Sequence, residues 1–240
     1  MALVPNSFEY NLLLWLVIVL IGVKILLTLY FGITLIKKRK QTGRISFDFT
    51  FGMFILMLCL AISRILFLYY DFFLTEFDPE TFADPINVLV WRIAMIFYAI
   101  GYASVLFAID KSILDFKFKG IFAYITIAIL IIQLVYPIRT LQDFVFVNTL
   151  GSVGLLVAIV IPIIFIYLGI KTPTLRKSAF MIAIGSILFA IGAMLVVQSI
   201  LEPLREAFGT DIQILMFLLF FIFKITGLSL FSYGVLTWKL

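Results

Sequence analysis

The chain has 240 residues, of which 64% are hydrophobic and only 13% charged, with a mean hydropathy of +1.23 and a formal charge of +5. Soluble domains carry roughly 45–50% apolar and about 25% charged residues, so this chain has too few charges to cover a soluble core and lipid is its expected solvent. The basic residues sit in short loops between apolar runs, where they set membrane orientation, so no nucleic acid is expected as a partner.

The first residues, MALVPNSFEYN, lack the basic start of a signal peptide. The apolar run after them is too long for a signal core, and no small-residue cleavage site follows it. It is therefore read as the first membrane helix. About 20 apolar residues span a ~30 Å hydrocarbon core as helix. Seven such runs occur: Tyr10–Ile36, Phe49–Phe72, Ile86–Ile109, Ile121–Tyr136, Val145–Ile170, Ser178–Leu201 and Gln213–Leu236. Strands are excluded because an open sheet leaves backbone groups unsatisfied in lipid, and these runs do not alternate. The predicted fold is all-α, a polytopic bundle of seven transmembrane helices forming a single domain over residues 1–240. The last helix ends at Trp238-Lys239-Leu240, so no soluble output domain is expected.

Charge distribution orients the bundle. One side collects Lys37, Lys38, Arg39, Lys40 and Arg44, then Lys111, Lys117 and Lys119, then Lys171, Arg176 and Lys177, then Lys239. The other side holds only Arg139 and Arg205. Cations stay in the cytoplasm, so the amino terminus is expected outside, the carboxyl terminus inside, and the chain in the plasma membrane. The acidic residues Glu76, Asp78, Glu80 and Asp84, and later Glu202, Glu206 and Asp211, fall on the outer side. Trp15 and Trp91 are placed toward the outer interface and Trp238 at the inner one.

A weak internal repeat is visible. Tyr30-Phe31-Gly32-Ile33 with Arg39-Lys40 matches Tyr167-Leu168-Gly169-Ile170 with Arg176-Lys177; 167 minus 30 and 176 minus 39 are both 137. Ala99-Ile100-Gly101-Tyr102-Ala103-Ser104 echoes Ile225-Thr226-Gly227-Leu228-Ser229. The repeats would cover 10–110 and 145–238 in a 3+1+3 plan of parallel repeats, with residues 121–136 as the linking helix. The competing explanation is that Tyr, Gly and basic residues collect at helix ends anyway.

Much chemistry is excluded. With no histidine, zinc-peptidase motifs, histidine bases and histidine-ligated haem or zinc sites are absent. None of the thirteen carboxylates falls near mid-span, which removes an aspartyl-protease pair and an acidic proton relay. Cys59, the only cysteine, reads as a small buried hydrophobe. The chain is expected not to be an enzyme, and no cofactor or metal is expected.

Four cations do lie within the spans: Lys24, Arg64, Arg92 and Lys224. At ~1.5 Å per residue, Lys24 and Lys224 sit at mid-depth, with Arg64 about 5 Å and Arg92 about 8 Å outward of their span midpoints. A charge at the bilayer centre costs roughly 2.5–3.5 kcal/mol on insertion scales, and such residues usually face a bundle interior or a water-filled cavity. Three explanations compete. The cations line an outward-facing pocket for a small anion or a lipid headgroup, or Arg64 and Arg92 reach outward to Asp71 and Asp84 while the lysines bond backbone carbonyls, or an acidic helix of a partner supplies the countercharge. Thr28 shares a face with Lys24. Tyr98 and Tyr102 share a face of the third helix and offer hydroxyls to a ligand, although core tyrosines more often simply pack.

On the sixth span Ser178, Gly185, Gly192 and Ser199 recur every seven residues. Such a stripe is suited to a tight contact inside the chain or to a homo-oligomer seam.

Three resemblances bear on the chain. A mid-helix lysine on a seventh helix, Lys224, resembles microbial rhodopsins, in which it would carry retinal. However, the third helix holds Arg92 where the family has a carboxylate counterion, and the aromatic clamp of the sixth helix is missing. The 3+1+3 plan is similar to sugar-transporting SWEET and PQ-loop proteins, without their Pro-Gln pair. Ser63-Arg64-Ile65-Leu66-Phe67-Leu68-Tyr69-Tyr70-Asp71-Phe72-Phe73 and Trp91-Arg92 resemble uncharacterised archaeal seven-helix membrane proteins and the membrane input regions of sensor kinases. This resemblance brings no known catalytic residues, and signalling would pass through the basic cytoplasmic loops to a separate protein. The expectation is therefore a receptor-like protein that binds a small anion or lipid through Lys24, Arg64, Arg92 and Lys224, with Tyr98 and Tyr102. The alternatives are a small-solute or anion transporter or channel and a non-catalytic subunit of a membrane complex.

Overall fold

The computed structural model describes residues 7–44, 46–209 and 211–238. Every regular element among them is helical: α1 (Phe8–Thr42), α2 (Phe49–Tyr69, continued by a π turn over Tyr70–Leu74), α3 (Pro85–Ile113), α4 (Ile121–Val135), α5 (Leu141–Ala158), α6 (Val160–Lys171), α7 (Arg176–Met194), α8 (Gln198–Phe208) and α9 (Asp211–Leu236). Lys239, counted above among the inner-side cations, lies outside the described residues, as do the side chains of Ser199, Glu202 and Asp211. Five segments are long and apolar enough to cross a membrane: Phe8–Thr42, Phe49–Leu74, Pro85–Ile113, Pro173–Met194 and Ile214–Leu236. The chain is thus an all-helical protein of membrane character. The expected fourth and fifth spans correspond to shorter helices.

The chain divides into two compact units, residues 1–157 and 158–240. In the first, α2 packs on both α1 and α3, and α4 packs on α3. In the second, α7 packs on both α6 and α9, and α8 lies against α9.

Local chemistry explains most boundaries. Ser7 caps α1 by accepting the Tyr10 N–H at 3.1 Å. The helix runs past the expected Ile36 because lysine and arginine are good helix formers and nothing breaks it before Gly43. Gly43 takes the left-handed conformation (φ 74°) and returns its N–H to Arg39. Asp48 caps α2 through the Phe51 N–H at 3.0 Å and is ion-paired with Lys38. Burial acts to raise the Asp48 carboxyl, but the Lys38 ammonium, the Phe51 N–H and the Ser46 hydroxyl together outweigh it and hold the pKa below the usual carboxylate range. Gly52 lies so close to α3 that an added Cβ would sit 2.5 Å from the Ala108 Cβ, and a Cβ at Gly101 would sit 2.9 Å from that of Cys59.

Two expected spans are corrected. The fifth is not one helix, since α5 ends at Ala158 and α6 begins at Val160. Pro162 has no N–H to return to the Ala158 carbonyl, which favours a break there. The sixth stops at Met194 rather than Leu201. Val197 adopts extended backbone (φ −74°, ψ 131°) and starts α8, whose amphipathic sequence with Arg205 and Glu206 does not suit a lipid-spanning segment. Ser199 therefore lies on a different helix from Ser178, Gly185 and Gly192, and the four-residue stripe is broken.

The remaining three stripe residues face α9 of the same chain. A Cβ at Gly185 would strike the α9 backbone, 2.4 Å from the Phe231 nitrogen, one at Gly192 would sit tightly at 3.1 Å from the Phe223 Cβ, and the Ser178 hydroxyl meets that of Thr237 at 2.9 Å. These three residues serve a contact inside the chain. Trp91 is 3% exposed, with Phe144 at 5.2 Å, inside a cluster that includes Tyr70 and Val147, whereas Trp15 is exposed.

Candidate functional site

Of the four core cations, Lys24, Arg64 and Arg92 lie in the first unit and Lys224 in the second. Lys24 and Arg64 share the first unit, where Lys24 Nζ donates to the Leu60 carbonyl at 3.2 Å and Arg64 Nη1 meets Asp71 Oδ2 at 3.5 Å. Thr28 donates to the Lys24 carbonyl, so its hydroxyl is turned back onto its own helix. Arg92 donates from Nη2 to the Tyr136 carbonyl at 2.5 Å rather than reaching Asp84. Arg64 and Lys24 thus follow the second of the three explanations. Asp71 is available to Arg64 because α2 continues as a π turn through Tyr70–Leu74, which keeps both residues on one continuous helical segment.

Lys224 belongs to the second unit. Its Nζ stands 3.5 Å from the Phe189 ring centroid and 5.7 Å from that of Phe220, and the residue is 7% exposed. A cation over an aromatic face gains about 2 kcal/mol when desolvated, which partly offsets the cost of its burial. This aromatic seat comes from α7 and α9, and the spacing of Phe189 in the sequence gave no sign of it.

The tyrosine pair has a different setting. Tyr98 and Tyr102 lie one turn apart on α3, with ring centroids 4.8 Å apart. They line a small, partly open cleft with a free volume of about 30 Å³, together with Met95 and Leu106 of α3, Thr126 and Gln133 of α4, and Gly151 of α5. Thr126 donates to the Phe122 carbonyl, which fixes its hydroxyl oxygen. Gln133 Nε2 donates to the Val147 carbonyl at 3.0 Å and ties α4 to α5. An added Cβ at Gly151 would come within 2.7 Å of Gln133 Nε2, so the absence of a side chain there keeps the carboxamide in place. Apolar walls with a few convergent polar groups are the usual make-up of a small-molecule site. No side chain lining this cleft is charged.

Thr126 and Gln133 were missed in the sequence reading. They were legible as two polar residues seven apart, hence on one face, of an otherwise apolar helix. No family model, curated protein or solved structure matches the chain.

Proposed function

We propose that the chain is a receptor- or sensor-like membrane protein. On this reading it crosses the bilayer seven times with its amino terminus outside, and it holds a small ligand in the Tyr98–Tyr102 cleft. The observation that carries this is the cleft itself, where two phenols, a threonine and a glutamine converge on one space within a highly apolar set of helices. The cations support a neutral ligand over the expected anion. Lys24, Arg64 and Arg92 already hold acceptors within the chain, and Lys224 lies in the other unit over Phe189. Hydroxyl and carboxamide groups suit a ligand carrying hydroxyl, carbonyl or ether oxygens on an apolar body.

The test is native mass spectrometry of the purified protein, wild type against Gly151→Leu. A small neutral adduct should persist in the wild type and be lost when leucine fills the cleft. Tyr98→Phe with Tyr102→Phe keeps the shape and should weaken retention without emptying the cleft. Equal adduct in all three proteins would remove the cleft from consideration.

A second reading, a transporter built from two three-helix repeats, is favoured by the helix contacts. In the first unit Gly101 meets Leu56 and Cys59 while Ala108 meets Gly52; in the second, Gly227 meets Gly185 and Phe189 while Gly234 meets Ile182. The α3 and α9 partners keep one offset, since 227 minus 101 and 234 minus 108 are both 126. The α2 and α7 partners keep another, since 189 minus 59 and 182 minus 52 are both 130. Parallel repeats of this kind occur in small transporters. Flux of the retained compound into proteoliposomes would select this reading. Saturable binding without flux would select the first.

A further inference from the structure

At one end of the first unit, two basic loops share a surface. The α1–α2 connection follows the helical run Lys37-Lys38-Arg39-Lys40, all exposed. The α3–α4 connection carries Phe116-Lys117-Phe118-Lys119. Aromatic contacts join them: Phe47 lies 5.8 Å from Phe107, Phe107 lies 5.5 Å from Phe116, and Lys111 Nζ stands 5.9 Å over the Phe47 ring. The second loop is fastened from below. Asp110, 2% exposed, accepts the Phe118 N–H at 3.0 Å and the Gly120 N–H at 2.6 Å. The result alternates two phenyl rings, 40% and 41% exposed, with two exposed ammonium groups. Of the nearby acids, Asp48 is committed to Lys38 and Asp110 to the loop backbone, while Asp115 is exposed beside them.

We infer that this surface binds the anionic phospholipid headgroups of the adjoining leaflet. The ammonium groups take the phosphates, and the interleaved rings enter the boundary between headgroups and acyl chains. Clusters of four to eight basic residues directly beside a membrane helix attract anionic lipid. Exposed phenyl rings between lysines suit a surface that is half hydrocarbon, which neither a purely acidic protein partner nor free phosphate would use. This inference rests on the chain being membrane-embedded and is independent of the tyrosine cleft.

The test is native mass spectrometry of the full chain released from nanodiscs of mixed phosphatidylcholine and phosphatidylglycerol. The wild type should retain phosphatidylglycerol in preference, and 0.5 M NaCl should weaken that preference. Lys117→Ala with Lys119→Ala should reduce it by roughly tenfold or more. Phe116→Ala with Phe118→Ala should also reduce it, at unchanged net charge. Lys171→Ala with Lys177→Ala, in the other unit, should leave it intact. Equal retention of the two lipids by the wild type overturns the inference, and so does a salt-independent preference, which needs no variant to fold. Displacement of the lipid by an acidic protein partner, without a headgroup preference, would overturn it in favour of protein docking.

Discussion

The carboxylate of Asp110 accepts the backbone N–H of Gly120 at 2.6 Å across a left-handed turn, and with the Phe118 N–H this fixes the whole α3–α4 connection. The connection begins as the α2 terminus does. Phe116 N–H returns to the Asp110 carbonyl and Phe77 N–H to that of Asp71, each donor being the second of two residues of positive φ, Asp115-Phe116 and Glu76-Phe77. Both segments read Asp, four residues, an acid, then Phe. Non-glycine residues in that conformation are strained and hold only when other contacts fix them.

Asp110→Ala leaves two backbone N–H groups without their charged acceptor. Hydrogen bonds to charged groups are worth roughly 1.5–3 kcal/mol each, so a loss of about 3 kcal/mol is expected. Thermal unfolding in detergent should show a clear drop in midpoint. An unchanged midpoint would mean that the loop is held by its aromatic contacts alone.

Arg64 and Asp71 form a part-buried pair, with side chains 15% and 21% exposed. Asp71→Leu should cost about 1–3 kcal/mol, while Arg64→Leu with Asp71→Leu should recover most of the loss. The double variant separates an ion pair from ordinary packing. If it is no more stable than Asp71→Leu, the two side chains are not energetically coupled.

The α7–α9 contact depends on missing side chains. A Cβ at Gly227 would lie 2.6 Å from the Phe189 nitrogen, which is backbone and cannot step aside. Gly227→Ala should therefore destabilise by about 1–3 kcal/mol. Gly22 on α1 has nothing within 4 Å of its added Cβ. Gly22→Ala should be neutral or stabilising by up to about 1 kcal/mol through helix propensity. Equal effects of the two substitutions on thermal unfolding would show that α7 and α9 are not this close.

Asp48 links stability to pH. Its folded pKa lies below the unfolded value of about 3.9, so its contribution is fully present above that value and fades as pH falls through the lower, folded one. Asp48→Asn should reduce stability at neutral pH and flatten the acid limb of the stability profile. Because Lys38 is largely exposed the effect is modest, and raised salt should shrink it. A salt-independent profile that Asp48→Asn leaves unchanged would exclude the pair.

Hydrophobic run length made most of the fold legible, because in lipid the backbone has few alternatives to helix. The breaks at Ala158 and Met194 were less visible. Pro162 marked the first, but Val197 differs little in composition from its neighbours, and only the polar residues of α8 beyond it signalled a change. The site was harder to read. Lys24, Arg64, Arg92 and Lys224 were found by their expense in a membrane, yet sequence cannot show which carbonyl, carboxylate or ring meets each one. Asp71 lies inside the expected second span and was one candidate partner of Arg64, but the π turn that carries it leaves no mark in the sequence, and the Phe189 seat of Lys224 joins residues 35 apart (224 minus 189). Tyr98 and Tyr102 were visible as a pair, but their cleft required Thr126 and Gln133 from a helix first read only as a linker.

Single-cysteine labelling in sealed vesicles of known orientation tests most directly whether these helices cross a bilayer with their basic ends on one side. Against a Cys59→Ala background, cysteines placed at Lys38 and Lys117 should react with a membrane-impermeant maleimide only from the cytoplasmic face, and one at Glu80 only from the other. Labelling of all three from the same face, or release of the chain from membranes by alkaline carbonate, would contradict it.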